Sequence, residues 1–404
     1  MTSGALSGYK VLDLTHFIAG PYCTRLLAGY GAEVIKIEQP GTGDGARKLG
    51  PFVGDDPHPE KSLQFLYLNT GKKSITLDLK TKSGIKIFKD LVKDADILVE
   101  NFEPRVMPSL GLGYDVLSEI NPKLVMTSIT NFGQTGPYRD YKGAEIVEYA
   151  LSGLMNITGE LDREPLKMAM EVTQYTGGQA AVIPTLAAVR QANNTGQGAH
   201  VDVSIMEYAV GITEWQVGPY QAIGHITERM GNSNQKGHPW GVFQCENGWV
   251  VIATLGPSFK YVAEKAGIEE LKDPKFLSHG ARVMHLSDEL DAYLLPYLLD
   301  LKLEDWKENW VEFLNGKRGA AAGWVRSIDD LVECPQLKDR RFYQTVGHPF
   351  HGKATYSTGP LRMSKTPWQV GRAPLLGEDN EEIYGTRLNI NKKELATLRQ
   401  GGTI

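Results

Sequence analysis

The sequence predicts an α/β protein whose larger part is a doubly wound, Rossmann-like domain built on a parallel sheet. Strand-like and helix-like stretches alternate through the first 130 residues, and the connections between them are short. Repetition of this kind favours parallel strand pairing with right-handed crossovers. The chain has 404 residues, of which 41% are hydrophobic. That length is enough for two or three domains with a large buried core.

The alternation starts with a buried strand over residues 10–15. A short helix follows, with Pro21 near its first turn and Gly31 beyond its end, where these residue types favour helix termini. The later stretches of the pattern are strands at 33–38, 74–79, 96–101 and 124–130 and a helix at 84–95. Because parallel strands need a crossover between them, this order predicts the doubly wound sheet.

A smaller α+β domain is predicted over about 225–330. Two β-rich runs flank Asn247 and Gly248, a pair that strongly favours a tight hairpin turn. Residues 287–316 have a helical pattern that Pro296 is expected to break. The chain ends in a loop-rich segment with a short surface helix before Gly401.

Charge and composition exclude several classes of protein. The net charge of -5 and the pI near 6.0 provide no bulk attraction to nucleic acid or to an anionic membrane. The cysteines Cys23, Cys245 and Cys334 are widely spaced and fit neither a disulfide framework nor a zinc site. The first ten residues lack the apolar segment of a secretion signal, and no apolar run has membrane-spanning length. We therefore expect a cytoplasmic protein without a metal.

Several polar or glycine-rich loops follow predicted strands, where open α/β sheets bind ligands. They lie at 15–21, 38–47, 101–106 and 130–138. The first contains His16 but lacks the G-x-G-x-x-G pattern, and the second lacks the Lys-Ser/Thr ending of a nucleoside-triphosphate loop. Arg105, in the third, is a candidate partner for phosphate. Together the loops favour a large anionic or nucleotide-like ligand.

Residues 169–180, AMEVTQYTGGQA, are interpreted as a strand that turns tightly into a buried helix. Such a turn is a common place for a catalytic side chain, and the candidates here are Glu171 and Thr173. On an extended strand the two residues point to the same face, about 6–7 Å apart. The residues alone leave open which of them acts, if either does.

Sequence segments in a fixed order cover nearly the whole chain. They are VLDLTHFIAGPYCTRLLAGYGAEVIKIEQPGTGD, LNTGKKSITLDLKT, VENFEP, LGLGYDVL, NPKLVMTSITNFGQTGPY, ALSGLMNITG, TGQGAHVDVSIMEY, GVFQCENGWVVIA and APLLGED. In this order they resemble the family III CoA-transferases, which include formyl-CoA transferase and carnitine CoA-transferase. Membership of that family is therefore the expectation.

The resemblance implies a ring-shaped chain that interlocks with a second chain. It implies a large Rossmann-like domain over 1–205 to which 345–404 returns, linkers at 206–224 and 331–344, and a small domain over 225–330. It also implies transfer of coenzyme A from an acyl-CoA thioester to a free carboxylic acid. In the family an Asp carboxylate attacks the thioester, expels the CoA thiolate and forms a mixed anhydride. Because carboxylates are poor nucleophiles in water, the site must exclude water and hold the oxyanion that forms during the attack.

The resemblance also implies which residues contact CoA. They are Phe17, Ile18, Ala19, Gln39, Asn69, Lys72, Lys73, Asn101, Phe102, Phe132, Gly133 and Gln134. Two positions depart from the family pattern, because Gln39 replaces a common basic residue and Ser109 replaces a frequent arginine. Arg105, Lys72 or Lys73 is expected to supply the positive charge for the CoA phosphates that these two positions lack.

The family's nucleophilic Asp is missing from this sequence. The family pattern D-x-x-[TS]-G aligns Thr173 with the Asp, and Thr176 and Gly177 match the rest. A threonine hydroxyl is neutral and cannot supply an anhydride. The chain therefore resembles the subunit without the Asp in the heteromeric succinyl-CoA:(R)-benzylsuccinate CoA-transferases of anaerobic toluene breakdown. It is expected to be non-catalytic and to pair with a homologous catalytic subunit in an interlocked heterodimer or heterotetramer.

Three alternatives stay open. Glu171 is one methylene longer than the missing Asp and could replace it as nucleophile in a self-sufficient enzyme. A racemase-like reaction needs opposed bases, but the G-H-D-x-x-Y segment of related racemases is matched here by 143–149, where Ala144 and Glu145 replace the His and Asp. The third alternative is a free-standing acyl-CoA-binding protein.

The resemblance places a flexible, glycine-rich loop of the small domain at 229–243. Gly231, Asn232 and Gly237 could allow this loop to move as a lid, and His238 and Trp240 could contact an aromatic substrate. A linker turn with an ordinary buried Trp is the preferred interpretation.

Overall fold

The computed structural model describes residues 4–232 and 237–404, which divide into two compact units. The first unit contains the described residues up to Met155 together with Lys167–Ile226 and Lys338–Ile404. The second contains the described residues of Asn156–Leu166 and Thr227–Leu337.

The first unit is built on a six-stranded sheet in which every neighbouring pair is parallel. Its strands are β1 (Lys10–Asp13), β2 (Glu33–Glu38), β3 (Lys73–Thr76), β4 (Ile97–Glu100), β5 (Val125–Thr130) and β6 (His200–Ser204). They lie in the order β3-β2-β1-β4-β5-β6. The order reverses between β1 and β4, which is where doubly wound sheets form their ligand crevice. The predicted α/β class and parallel sheet are confirmed.

The inner strands of the sheet are buried on both faces, as expected for parallel strands covered by helices. Leu12 and Leu98 face one core cluster, whereas Val11 and Val99 face the other. Every residue of β4 and of β5 is buried. Strand-forming propensity and two-sided burial therefore agree in this half of the chain.

Helices cover both faces of the sheet. The helices of the first unit up to residue 223 are α1 (Ala19–Gly29), α2 (Leu63–Leu68), α3 (Lys82–Val92), α4 (Val106–Ser109), α5 (Tyr114–Ile120), α6 (Glu145–Leu151), α7 (Val172–Thr195), α8 (Ile205–Gly211) and α9 (Glu214–Ile223). Short 3-10 turns occur at Gly45–Lys48, Val53–Asp55 and Met155–Ile157. The segment 206–224, expected to be a linker, is thus largely helical and lies in the first unit.

The strand predicted at the start of 169–180 is wrong, because α7 already begins at Val172. Gly177 and Gly178, which were interpreted as a turn, lie inside the helix and allow close packing. A Cβ at Gly178 would lie 2.2 Å from the carbonyl oxygen of Ala19, and one at Gly177 would lie 2.9 Å from the Ile205 side chain. These glycines therefore let α7 contact α1 and α8 closely.

The second unit has a three-stranded antiparallel sheet of β7 (Trp240–Cys245), β8 (Gly248–Thr254) and β9 (Ala320–Trp324). The hairpin predicted at Asn247 and Gly248 is present. Its helices are α10 (Phe259–Ala266), α11 (His279–Met284), α12 (Ser287–Leu299), α13 (Leu303–Asp305), α14 (Val311–Asn315) and α15 (Ile328–Val332), with a π-helical turn at Trp306–Trp310 and 3-10 turns at Gly256–Ser258, Glu270–Lys272 and Pro274–Leu277. The predicted break at Pro296 is wrong, since α12 continues through it.

The chain then returns to the first unit. Helix α16 (Pro335–Asp339) precedes an antiparallel hairpin of β10 (Tyr343–His348) and β11 (Gly352–Ser357). A π-helical segment at Glu381–Arg387 and helix α17 (Lys392–Gln400) complete the chain. Within the described ranges, no helix combines the length and the apolar character needed to cross a membrane.

Candidate active site

The loops after β1 and β4 are joined at the point where the strand order reverses. The Asn101 side chain accepts a hydrogen bond from the backbone N–H of His16 and donates one to its carbonyl, both at 2.8 Å. The rings of His16 and Phe102 lie 5.6 Å apart between centroids. Asn101 therefore holds the two walls of the crevice together.

Phe17, Ile18 and Ala19 form the turn from this crevice into α1. Phe17 has a left-handed backbone with φ of 65°, and half of the residue is exposed. Its N–H donates to Asp44 Oδ1 at 3.1 Å. A Cβ at Gly45 would lie 2.5 Å from the Phe17 ring, so the loop backbone packs directly beneath that ring. The turn presents Phe17 to solvent at the carboxyl edge of the sheet.

A pocket of about 210 Å³ lies beside this turn. The predicted CoA contacts that line it are Ala19, Asn101, Phe102, Arg105 and Phe132. Gln174, from the first turn of α7, lines it too. The structure therefore brings five of the predicted residues, from three separate loops, to one pocket beside the first turn of α7.

Arg105 is exposed at the rim of the pocket and pairs with Asp140. Its Nε and Nη2 donate to the two carboxylate oxygens at 2.8 and 2.5 Å. This contact raises the pKa of Arg105 and lowers the pKa of Asp140 through their direct hydrogen bonds. A phosphate would have to replace Asp140 to receive the same bidentate contact.

Gly133 and Gln134 follow β5 but do not line the pocket. Gly133 has a left-handed backbone with φ of 86°, and its N–H donates to Thr130 Oγ1 at 2.9 Å. The N–H of Gln134 donates to the Asp202 carboxylate at 3.0 Å. Both N–H groups are therefore used to shape the turn.

Lys72 and Asn69 are buried, so the structure does not place them at the crevice surface as predicted. Lys72 Nζ donates to Asp13 Oδ2 at 2.9 Å, to Asn69 Oδ1 at 2.8 Å and to the Pro21 carbonyl at 3.0 Å. Burial lowers the pKa of Lys72 to about 8, although Asp13 opposes the change. All three N–H donors of the ammonium are thus used inside the protein.

Lys73 and Gln39 lie elsewhere on the first unit. Lys73 is the first residue of β3, and its ammonium contacts Glu33 at 3.1 Å and also Glu382. Gln39 is exposed directly after β2, and its carbonyl accepts a hydrogen bond from the Gly43 N–H at 2.9 Å. Neither side chain lines the pocket at Arg105.

Thr173 lies in the first turn of α7 and is 1% exposed. Its N–H donates to the Glu145 carboxylate at 3.0 and 3.1 Å, and its hydroxyl donates to Glu145 Oε2. The N–H of Gln174 donates to the same oxygen at 3.1 Å. The Glu145 carboxylate therefore caps the positive end of α7, where free N–H groups and the helix dipole favour an anion.

A second carboxylate lies beside the first. Glu148 is fully buried, and its Oε2 accepts a hydrogen bond from Gln174 Nε2 at 2.8 Å and contacts Thr173 Oγ1 at 3.3 Å. Its Oε1 has no hydrogen-bond partner among the described residues. Burial, together with the neighbouring charge of Glu145, raises the pKa of Glu148 to about 7. Glu148 was not among the predicted site residues, although its three-residue spacing from Glu145 indicates one face of a helix.

Glu171 immediately precedes α7 and does not share a strand face with Thr173 as predicted. It is half-buried, and its side chain makes no capping hydrogen bond to the helix. Its carbonyl accepts the N–H of Tyr175 at 3.0 Å. Glu171 therefore precedes the first residue of α7, whereas Thr173 lies in its first turn and contacts the capping carboxylate of Glu145.

The chain matches the family model described as CoA-transferase family III over residues 6–380. It belongs to CoA-transferase family III. It is 34% identical to succinyl-CoA–D-citramalate CoA-transferase of Chloroflexus aurantiacus over 401 residues, 98% of this chain and 96% of the relative. Formyl-CoA:oxalate CoA-transferase of Streptomyces avermitilis is 33% identical over 425 residues, with 99% of each chain covered.

The fold is similar to that of a solved protein of the CAIB/BAIF family. The crystal structure of a CAIB/BAIF family protein from Brucella suis matches with a TM-score of 0.83 and 31% identity, over 96% of this chain and 100% of that one. The predicted family membership is confirmed. The family's substrates are CoA thioesters, and CoA transfer is the function that membership supports.

The predicted lid segment lies in the second unit, and its residues 233–236 fall outside the described ranges. His238 Nε2 contacts Asp291 Oδ1 at 2.9 Å, and its carbonyl accepts a hydrogen bond from Arg282 Nε at 2.8 Å. A Cβ at Gly231 would lie 2.1 Å from the Glu160 carboxylate. Trp240 is the first residue of β7 and is only partly buried, so it is neither in a linker turn nor the fully buried Trp that was predicted. Of the other predicted lid residues, Gly237 is buried and Asn232 is exposed.

No group of three or more His, Cys, Asp or Glu side chains with the geometry of a metal site occurs in 4–232 or 237–404.

Proposed function

We propose that this chain is a non-catalytic subunit of a heteromeric family III CoA-transferase, whose homologous partner supplies the nucleophilic Asp. The observation that carries the proposal is the cap at α7. The family pattern D-x-x-[TS]-G aligns Thr173 with the nucleophile, and the buried hydroxyl of Thr173 donates to Glu145. A hydroxyl in that contact carries no charge and cannot form the mixed anhydride.

The carboxylates around Thr173 are poorly suited to replace the Asp. Glu145 accepts hydrogen bonds from two backbone N–H groups and one hydroxyl, contacts that stabilise its charge and lower its nucleophilicity. Both glutamates belong to α6, whereas the proposed position of the nucleophile lies on α7. Near-attack geometry tolerates little displacement of a nucleophile. Both carboxylates therefore act as supports of the helix end.

The pocket supports binding of part of an acyl-CoA on this chain. We propose that Phe17, Ala19, Asn101, Phe102 and Phe132 contact CoA through their rings and backbone groups. Arg105 contacts a phosphate after releasing Asp140. The remaining predicted contacts to test are Ile18, Gln39, Gly133 and Gln134, whereas the positions of Asn69, Lys72 and Lys73 favour structural roles.

The proposed assembly is a cytoplasmic heterodimer or heterotetramer in which two ring-shaped chains interlock. Its proposed CoA donor is succinyl-CoA, which the name of the Chloroflexus relative supports. The proposed acceptor is a carboxylic acid such as benzylsuccinate, in anaerobic degradation of toluene. The partner is expected to keep the D-x-x-[TS]-G pattern that this chain lacks.

Purification of the chain alone and together with a homologous subunit tests the proposal. Each preparation is assayed for transfer of CoA from succinyl-CoA to benzylsuccinate, with hydroxylamine present to trap an acyl-enzyme. The expected result is that only the two-subunit preparation transfers CoA and that the hydroxamate forms on the partner. A hydroxamate on the isolated chain, with full activity, would overturn the proposal.

A self-sufficient enzyme that uses Glu171 is the second candidate. It is favoured by one observation, because the Glu171 side chain does not cap α7 and so is not engaged there as Glu145 is. Glu171→Gln would abolish activity and hydroxamate formation in an active isolated chain if Glu171 is the nucleophile. Unchanged activity of that variant in the two-subunit preparation assigns Glu171 a structural role.

A further inference from the structure

Arg25 in α1 is a buried cation without a carboxylate partner among the described residues. The residue is 1% exposed. Its Nε donates to Thr70 Oγ1 at 2.9 Å and its Nη2 to the Ser357 carbonyl at 2.5 Å, but Nη1 has no partner in the described structure. Its guanidinium lies over the ring of Tyr67, 4.3 Å from the centroid. A buried charge with an unused donor is costly unless a partner compensates it.

Tyr356 contributes a second unused donor. Its hydroxyl is buried and has no hydrogen-bond partner in the described structure. Burial raises the pKa of this hydroxyl to about 12, so it keeps its proton at neutral pH. Arg25 and Tyr356 line the same small pocket, of about 10 Å³, which is the space of about one oxygen atom or water molecule. A cationic side chain and a neutral phenol, each with an unpaired donor, thus line the same small space.

A larger groove of about 430 Å³ lies beside the small pocket. The two share Gln344, Thr358 and Trp368 as lining residues. The other charged residues of the groove are Arg341, Arg362 and Asp339, so its charged lining is also basic on balance. A ligand can therefore have an acidic group at Arg25 and a larger body along the groove.

We propose that Arg25 and Tyr356 bind the carboxylate of a small organic acid whose remaining atoms lie in the groove at Trp368. One carboxylate oxygen accepts hydrogen bonds from Arg25 Nη1 and from the Tyr356 hydroxyl. Charge-assisted hydrogen bonds of this type are roughly twice as strong as neutral ones. The acid compensates the guanidinium and satisfies both unused donors in one step.

This site is separate from the pocket at Arg105, with which it shares no lining residue. The proposal does not depend on which chain carries the nucleophile. A carboxylate side chain of a second protein and a single water molecule are the other possible occupants, and the experiment separates them from a free acid.

Titration of the purified chain with sodium benzoate, against sodium chloride at equal ionic strength, tests the site. Calorimetry and thermal unfolding are measured for the natural chain, Arg25→Gln, Tyr356→Phe and Arg105→Gln. We expect saturable binding of benzoate, at least tenfold weaker binding in Arg25→Gln and Tyr356→Phe, and unchanged binding in Arg105→Gln. Tyr356→Phe preserves the ring and the Arg25 contacts, so it keeps the test valid if Arg25→Gln does not fold.

Several results would overturn the proposal. Equal effects of benzoate and chloride, or no saturable binding, would assign the pocket to water or to a simple ion. Loss of binding only in Arg105→Gln would place the acid in the other pocket. A change of oligomeric state in Tyr356→Phe, without benzoate binding to the natural chain, would assign the pocket to a side chain of a second protein.

Discussion

The Glu145 carboxylate accepts hydrogen bonds from both the backbone N–H and the hydroxyl of Thr173. In the proposed alignment Thr173 replaces the family's nucleophilic carboxylate, and the carboxylate found here belongs to a different helix, α6. The α7 end is therefore capped by an anion that comes from α6. The stability and the chemistry of the site both depend on this arrangement.

Glu145→Gln is expected to lower the free energy of unfolding by about 1–3 kcal/mol, because it removes the charge that α7 binds through two N–H groups and one hydroxyl. Urea denaturation monitored by circular dichroism measures the change. Glu119→Gln, on the exposed face of α5, is the matched control and should be nearly neutral. Equal stability of the two variants would show that the cap contributes little.

The stability of the natural chain is expected to fall as the pH rises through 7. The folded state holds the proton of Glu148, whose pKa burial raises to about 7, whereas the unfolded chain releases it near 4.5. The folded state therefore binds more protons between these values, and stability decreases with pH in that window. Glu148→Gln should remove this part of the slope in denaturation midpoints measured from pH 4.5 to 8. An unchanged slope would contradict the assignment.

Thr173→Asp combined with Glu145→Gln is expected to create an acyl-enzyme on this chain. The new carboxylate occupies the position of the family's Asp, and the second change removes the negative charge that would otherwise face it. Hydroxylamine trapping with succinyl-CoA, followed by mass spectrometry, detects the product at residue 173. The control is Thr173→Asn with Glu145→Gln, which has the same shape but no nucleophile and should give none.

Gly178→Ala is expected to destabilise the protein by about 1–3 kcal/mol, because the new Cβ would lie 2.2 Å from the Ala19 carbonyl oxygen and push α7 away from α1. Gly211→Ala at the end of α8 is the control, since a Cβ there meets nothing within 4 Å and the change should be neutral or slightly stabilising. Thermal unfolding compares the two. A Gly178→Ala variant as stable as the control would mean that the helices adjust at little cost.

The strands were predicted well because local pattern and burial agree. The strand at 33–38 was predicted with the bounds it has, and the strand at 124–130 was predicted one residue too long. The error at the start of α7 has the opposite origin. A pair of glycines locally indicates a turn. Here Gly177 and Gly178 lie inside a helix, and their lack of a side chain is required because Ile205 and Ala19, which are distant in sequence, pack against them.

The candidate pocket was predictable in part. Phe102, Arg105 and Phe132 follow strands whose carboxyl ends meet at one edge of a parallel sheet, so their order along the chain already brings them together. The burial of Lys72 was not predictable, because it depends on Asp13, which lies 59 residues away in sequence. A lysine after a glycine is usually exposed, and only the folded chain gives it a buried carboxylate.

The sequence by itself determined the parallel sheet, membership of the CoA-transferase family and the absence of an Asp at Thr173, since these follow from residue identity and local periodicity. Only the tertiary structure decided that Glu145 and Glu148 surround that threonine and that Arg25 is buried beside an unpaired Tyr356 hydroxyl. Contacts of this kind join segments far apart in the chain. Their energies depend on burial and distance, which local pattern does not contain.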